Sequence, residues 1–258
     1  MTDTAAPRPP LGIGQIFSET FSIFFKRFLT FFVIAAIPSL VLNAMSFAMI
    51  PNAVGPVTSG QITGPGEIFT AAYFIYLLIA MVVGFVLMGV LTLAAYDAKL
   101  GRPTRLGVYI SRALGAILPI FVLSILFYIL LTLGLILLII PGLYVIGRFR
   151  LFVPAILVDS AGFGGLGRAS ELSQGYRWPI IGAMILLFIL IFGLSLIAQL
   201  ALGVVLFASG ALLAGLLVQG LVSALIYAFG SIFTAVVFAR LKEIKEGVSV
   251  DDLVAVFE

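Results

Sequence analysis

The chain has 258 residues, of which 62% are hydrophobic and only 10% are charged, and its mean hydropathy is +1.28. Soluble domains carry roughly 25% charged residues, so a water-soluble fold could not bury this much apolar surface. The chain has no cysteine and no histidine, and its net charge is +3. Disulfides, thiol nucleophiles, haem ligation and the usual zinc sites are thereby excluded, and we predict no cofactor and no metal site. No basic stripe interleaved with aromatic residues indicates nucleic-acid binding.

Six apolar stretches are long enough for a membrane-spanning helix, which needs about 20 residues. We predict spans at residues 28–50, 68–96, 113–140, 143–158, 178–207 and 211–239. These runs lack the period-two alternation of lipid-facing β-strands. The predicted fold is all-α, a polytopic membrane helical bundle of about six transmembrane helices that forms one membrane domain over residues 1–258. The short fourth segment is either a full span or a deep re-entrant helix.

Lysines and arginines indicate the side of the membrane, because they collect in cytoplasmic loops. If both termini are cytoplasmic, every Lys and Arg outside the spans lies on the cytoplasmic side, and the three opposite connections at 51–67, 141–142 and 208–210 contain no Lys or Arg. The fourth segment must then cross or re-enter, since otherwise one flanking basic group would lie outside. Residues 1–12 are predicted as a flexible cytoplasmic N-terminus and residues 240–258 as a cytoplasmic tail.

Short amphipathic segments precede alternate spans. Over residues 13–27, the apolar side chains of Ile13, Phe17, Phe21 and Phe24 share one face, which predicts an interfacial helix. Similar pieces occur at 107–112 and 166–177. The chain is therefore predicted to contain three units, each an interfacial helix followed by a hairpin of two spans.

Arg148 and Arg150 lie within the predicted fourth span, where an arginine costs at least about 2.5 to 3.5 kcal/mol. Guanidinium groups bind lipid phosphates and other anions through forked hydrogen bonds. Both are therefore candidate ligands for an anion or lipid headgroup, together with Arg168 and Arg177 on the next connection. The structural alternative is that they satisfy backbone carbonyls or a buried acid, or snorkel along a tilted helix. Two residues turn about 200° around a helix, so both reach one pocket only if the helix is irregular.

Residues 162–167 spell G-x-G-x-x-G, which cradles a pyrophosphate when it joins a strand to a helix. Here the motif follows a membrane helix and no βαβ unit surrounds it, so a glycine-rich turn is favoured. In the last span, small residues recur four apart, as in Gly220, Ala224 and Ala228. This spacing permits close helix packing, which more often serves contacts within a bundle than a dimer interface.

Polar residues within the spans are few, chiefly Asn43, Gln199 and Gln219. Coupled transporters usually need intramembrane carboxylates or discontinuous helices, and neither is evident in the sequence, which counts against transport. Hydrolysis would need converging acids such as Asp97 and Asp159 with Glu171, but these are as easily partners of nearby arginines. We therefore predict that the chain is not an enzyme.

A Pro-Gly opens the fourth segment, an Arg and a Pro lie within it, an acid closes it, and a Ser-x-Leu-x-x-Gly helix leads to an aromatic residue at the next span. The positions are Pro141, Gly142, Arg148, Pro154, Asp159, Ser170, Leu172, Gly175 and Trp178. This pattern resembles the membrane domain fused to some bacterial glycerophosphoryl diester phosphodiesterases and the related, uncharacterised YciC-like inner-membrane proteins, which more often have Glu at the position of Asp159. The phosphodiesterase activity of that family resides in a separate catalytic barrel with no counterpart in these residues. The resemblance therefore implies the membrane module alone.

These observations predict a non-enzymatic integral protein of the bacterial inner membrane, a lipid-interacting binding or scaffold module whose partners are anionic membrane lipids. One alternative is a small-solute or lipid transporter. Another is an accessory subunit of a larger complex, with a membrane protein as its partner. The sequence leaves the oligomeric state open.

Overall fold

The structure is a computed structural model that describes residues 10–49, 70–209 and 212–247. These ranges are helical apart from short connections and a 3₁₀ turn at Gly162–Gly164. The α-helices are α1 Ile13–Lys26, α2 Phe28–Met49, α3 Ala71–Lys99, α4 Leu106–Gly115, α5 Ile117–Leu137, α6 Ile139–Phe149, α7 Phe152–Leu157, α8 Gly165–Ser173, α9 Arg177–Ser209 and α10 Leu212–Glu246. Six segments are long and apolar enough to cross a membrane: Phe28–Ser46, Ala71–Lys99, Ile117–Leu137, Ile139–Leu157, Arg177–Leu200 and Leu217–Glu246. The predicted all-α membrane bundle is confirmed.

The helices differ from the predicted spans mainly at their ends. α10 continues to Glu246, so residues 240–246, predicted as cytoplasmic tail, are its last turns. Charged pairs three and four residues apart, such as Arg240 with Glu243, support the helix beyond the apolar run. Of the predicted flexible N-terminus, Leu11 is buried in the core, and residues 1–9 lie outside the described part of the chain. So do the connection 51–67 and the tail beyond 247.

A short helix precedes two spans three times along the chain, in the order that the sequence predicts. α1 precedes α2 and α3, α4 precedes α5 and the α6–α7 segment, and α8 precedes α9 and α10. Ion pairs join α1, α3, α8 and α10 at one end of the bundle. We call this the basic end and define it by Lys99, Arg168, Arg240 and Lys242.

α10 forms the centre of the bundle and packs against α1, α2, α3 and α9. Every residue from 231 to 239 is buried, so the helix is enclosed on all sides at this level. Ala228 and Ala235 are fully buried, and a Cβ added to Gly220 would lie 2.7 Å from the Leu40 side chain of α2. Such close contacts hold helices together in lipid, where apolar surfaces gain little by leaving the solvent. The small residues of the last span thus serve contacts within the chain.

The apolar face of α1 lies against α10. The ring centroids of Phe17 and Phe233 are 5.0 Å apart, and so are those of Phe21 and Phe229, which is the range of favourable aromatic pairs. Ile16, on the same side of α1, is 1% exposed. The predicted apolar face is confirmed, and the surface that it covers is a protein helix.

Pro154 interrupts the fourth span. Proline has no N–H and its ring clashes with the carbonyl four residues earlier, which here belongs to Arg150. α6 accordingly ends at Phe149 and α7 begins at Phe152, with Arg150 and Leu151 in a turn between them. Together the two helices make up the candidate span Ile139–Leu157, which favours a broken spanning helix. The expectation that the chain has no discontinuous span is therefore wrong.

The α5–α6 hairpin depends on a glycine contact, because a Cβ on Gly134 would lie 3.0 Å from both the backbone nitrogen and the Cα of Gly142. We predict that Gly134→Ala lowers the free energy of unfolding by about 1 to 3 kcal/mol, since the obstructing atoms are backbone and cannot rotate away. Gly193→Ala is the matched control, because a Cβ on that glycine meets nothing within 4 Å. Thermal unfolding in detergent, followed by circular dichroism, measures both. Equal melting temperatures would contradict the close crossing.

Candidate functional site

A network of ion pairs at the basic end joins α8 to α10. Arg168 Nε donates to Asp159 Oδ2 at 2.7 Å, and the Arg168 guanidinium also donates to Glu246. Lys242 Nζ donates to the other Asp159 oxygen at 2.5 Å. Burial lowers the pKa of Arg168, but its hydrogen bonds to the two carboxylates outweigh this and raise that pKa above its ordinary value. Arg168, predicted as an anion ligand, already has carboxylate partners.

The acids that could have formed a catalytic cluster are also paired. The Tyr109 hydroxyl donates to Asp97 at 2.6 Å, and burial together with this hydrogen bond raises the pKa of Tyr109. Asp159 and Glu171 both approach Arg168, Glu171 at 3.8 Å. These carboxylates therefore pair with cations or accept a hydrogen bond from a phenol. Pairing with nearby arginines was the alternative to a catalytic cluster in the sequence analysis.

Arg148 lies at the end of α6 and reaches α8. Its Nε donates to Ser170 Oγ at 2.9 Å, and Ser173 Oγ donates to the Arg148 carbonyl at 3.0 Å. Its guanidinium carbon also lies 4.9 Å from the centroid of the Phe149 ring. Arg148 thus links the fourth span to α8, and within the described ranges its side chain has no backbone carbonyl and no acid as a partner.

Arg177 begins α9 and contacts α6. It donates to the Tyr144 hydroxyl, and its guanidinium carbon lies 5.0 Å from the centroid of the same ring, the geometry of a cation–π contact. A Cβ on Gly147 would lie 2.8 Å from the Arg177 carbonyl. The close approach of α6 to the start of α9 therefore holds this arginine against Tyr144.

Arg150 points elsewhere, into a cavity of about 290 Å³ inside the bundle. Arg148 reaches α8 and Arg150 lines this cavity, so the two arginines do not share a site. Within the described ranges, no hydrogen bond or ion pair reaches the Arg150 guanidinium. The other polar residues of the lining are Thr92, Ser124, Tyr128, Tyr227, Ser231 and Thr234. These hydroxyls were not among the predicted site residues, and their one sequence signal is a set of Ser, Thr and Tyr at similar depth in different spans.

The polar residues that the sequence singled out within the spans satisfy one another or their own helix. Gln199 Nε2 donates to Gln219 Oε1 at 3.0 Å, joining α9 to α10. Asn43 Nδ2 donates to the Ser39 carbonyl one turn earlier at 2.7 Å. None of the three lines the cavity around Arg150.

A second concavity, which we call the α4 groove, lies between α2, α3 and α4. It has a volume of about 500 Å³ and an entirely apolar lining: Val33, Ile34, Ile37, Pro38, Val82, Val83, Val86, Leu87, Val90, Leu106, Ile110 and Leu114. Leu106, Ile110 and Leu114 lie four residues apart, so one face of α4 covers the groove. The spacing of these three residues is visible in the sequence. The groove itself also depends on the separation of α2 and α3, which the sequence does not show.

The residues of the sequence pattern around the fourth span have structural roles. Gly142 contacts α5, Pro154 breaks the helix, Leu172 is buried, and Gly175 has a positive φ of 85°, which glycine adopts without strain. Gly162–Gly164 forms a 3₁₀ turn that leads directly into α8, in agreement with the glycine-rich turn. Comparisons with protein-family models, curated proteins and solved structures found no match. The resemblance to the phosphodiesterase membrane domain stays a prediction.

The Asp159 carboxylate forms ion pairs with both Arg168 and Lys242, and its side chain is 10% exposed. We predict that Asp159→Asn lowers the free energy of unfolding by about 1 to 3 kcal/mol, between the values for exposed and buried pairs, because two cations lose their shared carboxylate. Glu171→Gln is the control, since that side chain is 73% exposed and its pair with Arg168 is long. Thermal unfolding in detergent measures both changes. Equal losses would show that Asp159 does not organise the network.

Proposed function

We propose that this integral membrane protein is a non-enzymatic module of the bacterial inner membrane that binds an anionic phospholipid from the cytoplasmic leaflet. The α4 groove carries the proposal: it is apolar throughout, large enough for a ligand, and covered by a helix with one exposed arginine at its N-cap and another in its last turn. The resemblance noted in the sequence supports the bacterial membrane module. The clustering of basic residues supports cytoplasmic termini.

The depth of the groove matches one leaflet. Val33 and Pro38 lie five and ten residues after the start of α2, which is about 8 to 15 Å along the helix. Half of a hydrocarbon core is about 15 Å thick. The groove therefore lies where acyl chains lie, and a volume of about 500 Å³ is within the usual range of ligand sites. An acyl chain fills it without exposing any polar group.

Charge selects the headgroup. Arg105 caps the N-terminus of α4 and Arg112 lies in its last turn, and both side chains are exposed. Neither forms an ion pair with the described part of the chain, and α4 contains no acidic residue. Arginines near the membrane surface attract anionic headgroups by about 1 kcal/mol each. An anionic phospholipid thus fits better than a zwitterionic one.

Filling the groove tests the acyl-chain contact. We predict that Ile110→Trp reduces the number of phosphatidylglycerol molecules retained after reconstitution into nanodiscs of phosphatidylcholine and phosphatidylglycerol, read by native mass spectrometry. Val108→Trp is a matched control, because both residues are 45% exposed on the same helix and only Ile110 lines the groove. If both variants retain as much lipid as the wild type, the groove does not bind a chain.

Removing the charges tests the headgroup contact. We predict that Arg105→Gln/Arg112→Gln retains a phospholipid but loses preference for phosphatidylglycerol by up to about fivefold per arginine. The same nanodiscs provide the measurement, and high salt should weaken the wild-type preference in the same direction. A wild type without preference would overturn the choice of an anionic lipid. A copurifying membrane protein that covers α4 would favour the accessory subunit instead.

A further inference from the structure

The cavity around Arg150 lies inside the membrane and is distinct from the α4 groove. Thr92 is seven residues before the end of α3, Ser124 is seven after the start of α5, and Arg150 is seven before the end of α7. Thr92 and Ser124 therefore lie about 10 Å along their helices from those ends, and Arg150, in the turn before α7, is the same number of residues from the end of α7. Two helices and this turn thus bring polar groups to a similar depth, within the half of the bilayer next to the basic end.

A positive charge at this depth needs a counter-charge. Arg150 is partly buried, and within the described ranges no carboxylate, carbonyl or hydroxyl accepts from it. The Thr92 and Thr234 hydroxyls are already engaged, since they donate to the Met88 and Gly230 carbonyls at 2.7 and 2.8 Å. An uncompensated arginine in hydrocarbon is costly, and functional arginines in membranes pair with an anion or line an aqueous path.

The cavity opens toward the surroundings of the bundle at two tyrosines. Tyr128 of α5 and Tyr227 of α10 both line it, and their exposures are 59% and 49%. The intervening wall is apolar, with Phe127, Phe152 and Leu187. A ligand with a charged end and an apolar body can therefore enter from the bilayer, place its charge at Arg150, and leave its body at the tyrosines.

We propose that Arg150 binds the oxyanion of a singly charged amphiphile, a carboxylate or a phosphodiester, that enters this cavity from the membrane. One negative charge neutralises the single guanidinium, whereas a dianion would leave a buried excess. The guanidinium fork matches two oxygens, and the Ser124 and Ser231 hydroxyls on the lining can donate to the same group. A volume of about 290 Å³ is at the lower limit of ligand sites, so it holds the charged end of a longer molecule.

Tryptophan fluorescence tests the proposal, because the chain has one tryptophan, Trp178. The reporter protein carries Trp178→Phe and Tyr227→Trp at the mouth of the cavity, in phosphatidylcholine vesicles. Dibromostearate, as the carboxylate probe, or dibrominated phosphatidylglycerol, as the phosphodiester probe, is then added in increasing mole fraction. We expect half-quenching at a mole fraction at least about tenfold lower with Arg150 than with Arg150→Gln, given the strength of hydrogen bonds to charged groups.

Native Trp178, 63% exposed at the start of α9 and outside the cavity lining, is the control reporter. Its quenching should not depend on residue 150. Dependence on Arg150 with dibromostearate alone identifies a free fatty acid as the source. Dependence with the phosphatidylglycerol alone identifies a phospholipid. Independence from Arg150 with both probes overturns the proposal.

Unfolding in detergent without amphiphile decides whether Arg150 is structural instead. Arg150→Gln should melt at a temperature no lower than the wild type, because it removes an uncompensated charge. Stearate should raise the melting temperature of the wild type only. A variant that is strongly destabilised without amphiphile would show that Arg150 has a partner within the protein, and would overturn the proposal.

Discussion

Small residues let the neighbouring helices pack closely around α10, and this packing positions the other helices. Lipid does not drive helices together as water does, so the association must come from contact between backbones and from complementary surfaces. Gly220 and Ala228 let α2 and its neighbours approach the helix, and residues 231–239 are enclosed. This position of α10 brings Lys242 and Glu246 to Asp159 and Arg168, and places Ser231 in the wall of the cavity.

The two concavities separate charge from apolar surface in opposite ways. At the α4 groove the two arginines, at the N-cap and in the last turn of α4, are exposed, and the lining contains only apolar side chains. In the cavity a guanidinium points inward among hydroxyls and rings. Two residues turn about 200° around a helix, so Arg148 and Arg150 point apart with or without a break. The break at Pro154 places Arg150 in a turn between α6 and α7.

Of the four arginines predicted from the sequence as anion ligands, three have partners within the protein. Arg148, Arg168 and Arg177 have partners on neighbouring elements, namely Ser170, Asp159 and Tyr144. From the sequence alone, an ion pair between Arg168 and Asp159 was no more strongly indicated than a pair between any other acid and base on the same connection. Their pairing requires the turn at Gly162–Gly164 to reverse the chain. Only the packed helices distinguish a paired arginine from Arg150, since all four have the same chemistry.

Hydropathy and periodicity were enough to predict the membrane environment, the six spans and the order of short helices and hairpins, because both are local properties of a chain in lipid. It also identified the apolar face of α1 and the small-residue spacing of α10. The contacts of those faces, the break of the fourth span around Arg150 and the two concavities are seen only in the folded structure. These depend on where helices distant in the chain meet. Contacts between residues far apart in sequence leave no local pattern from which to infer them.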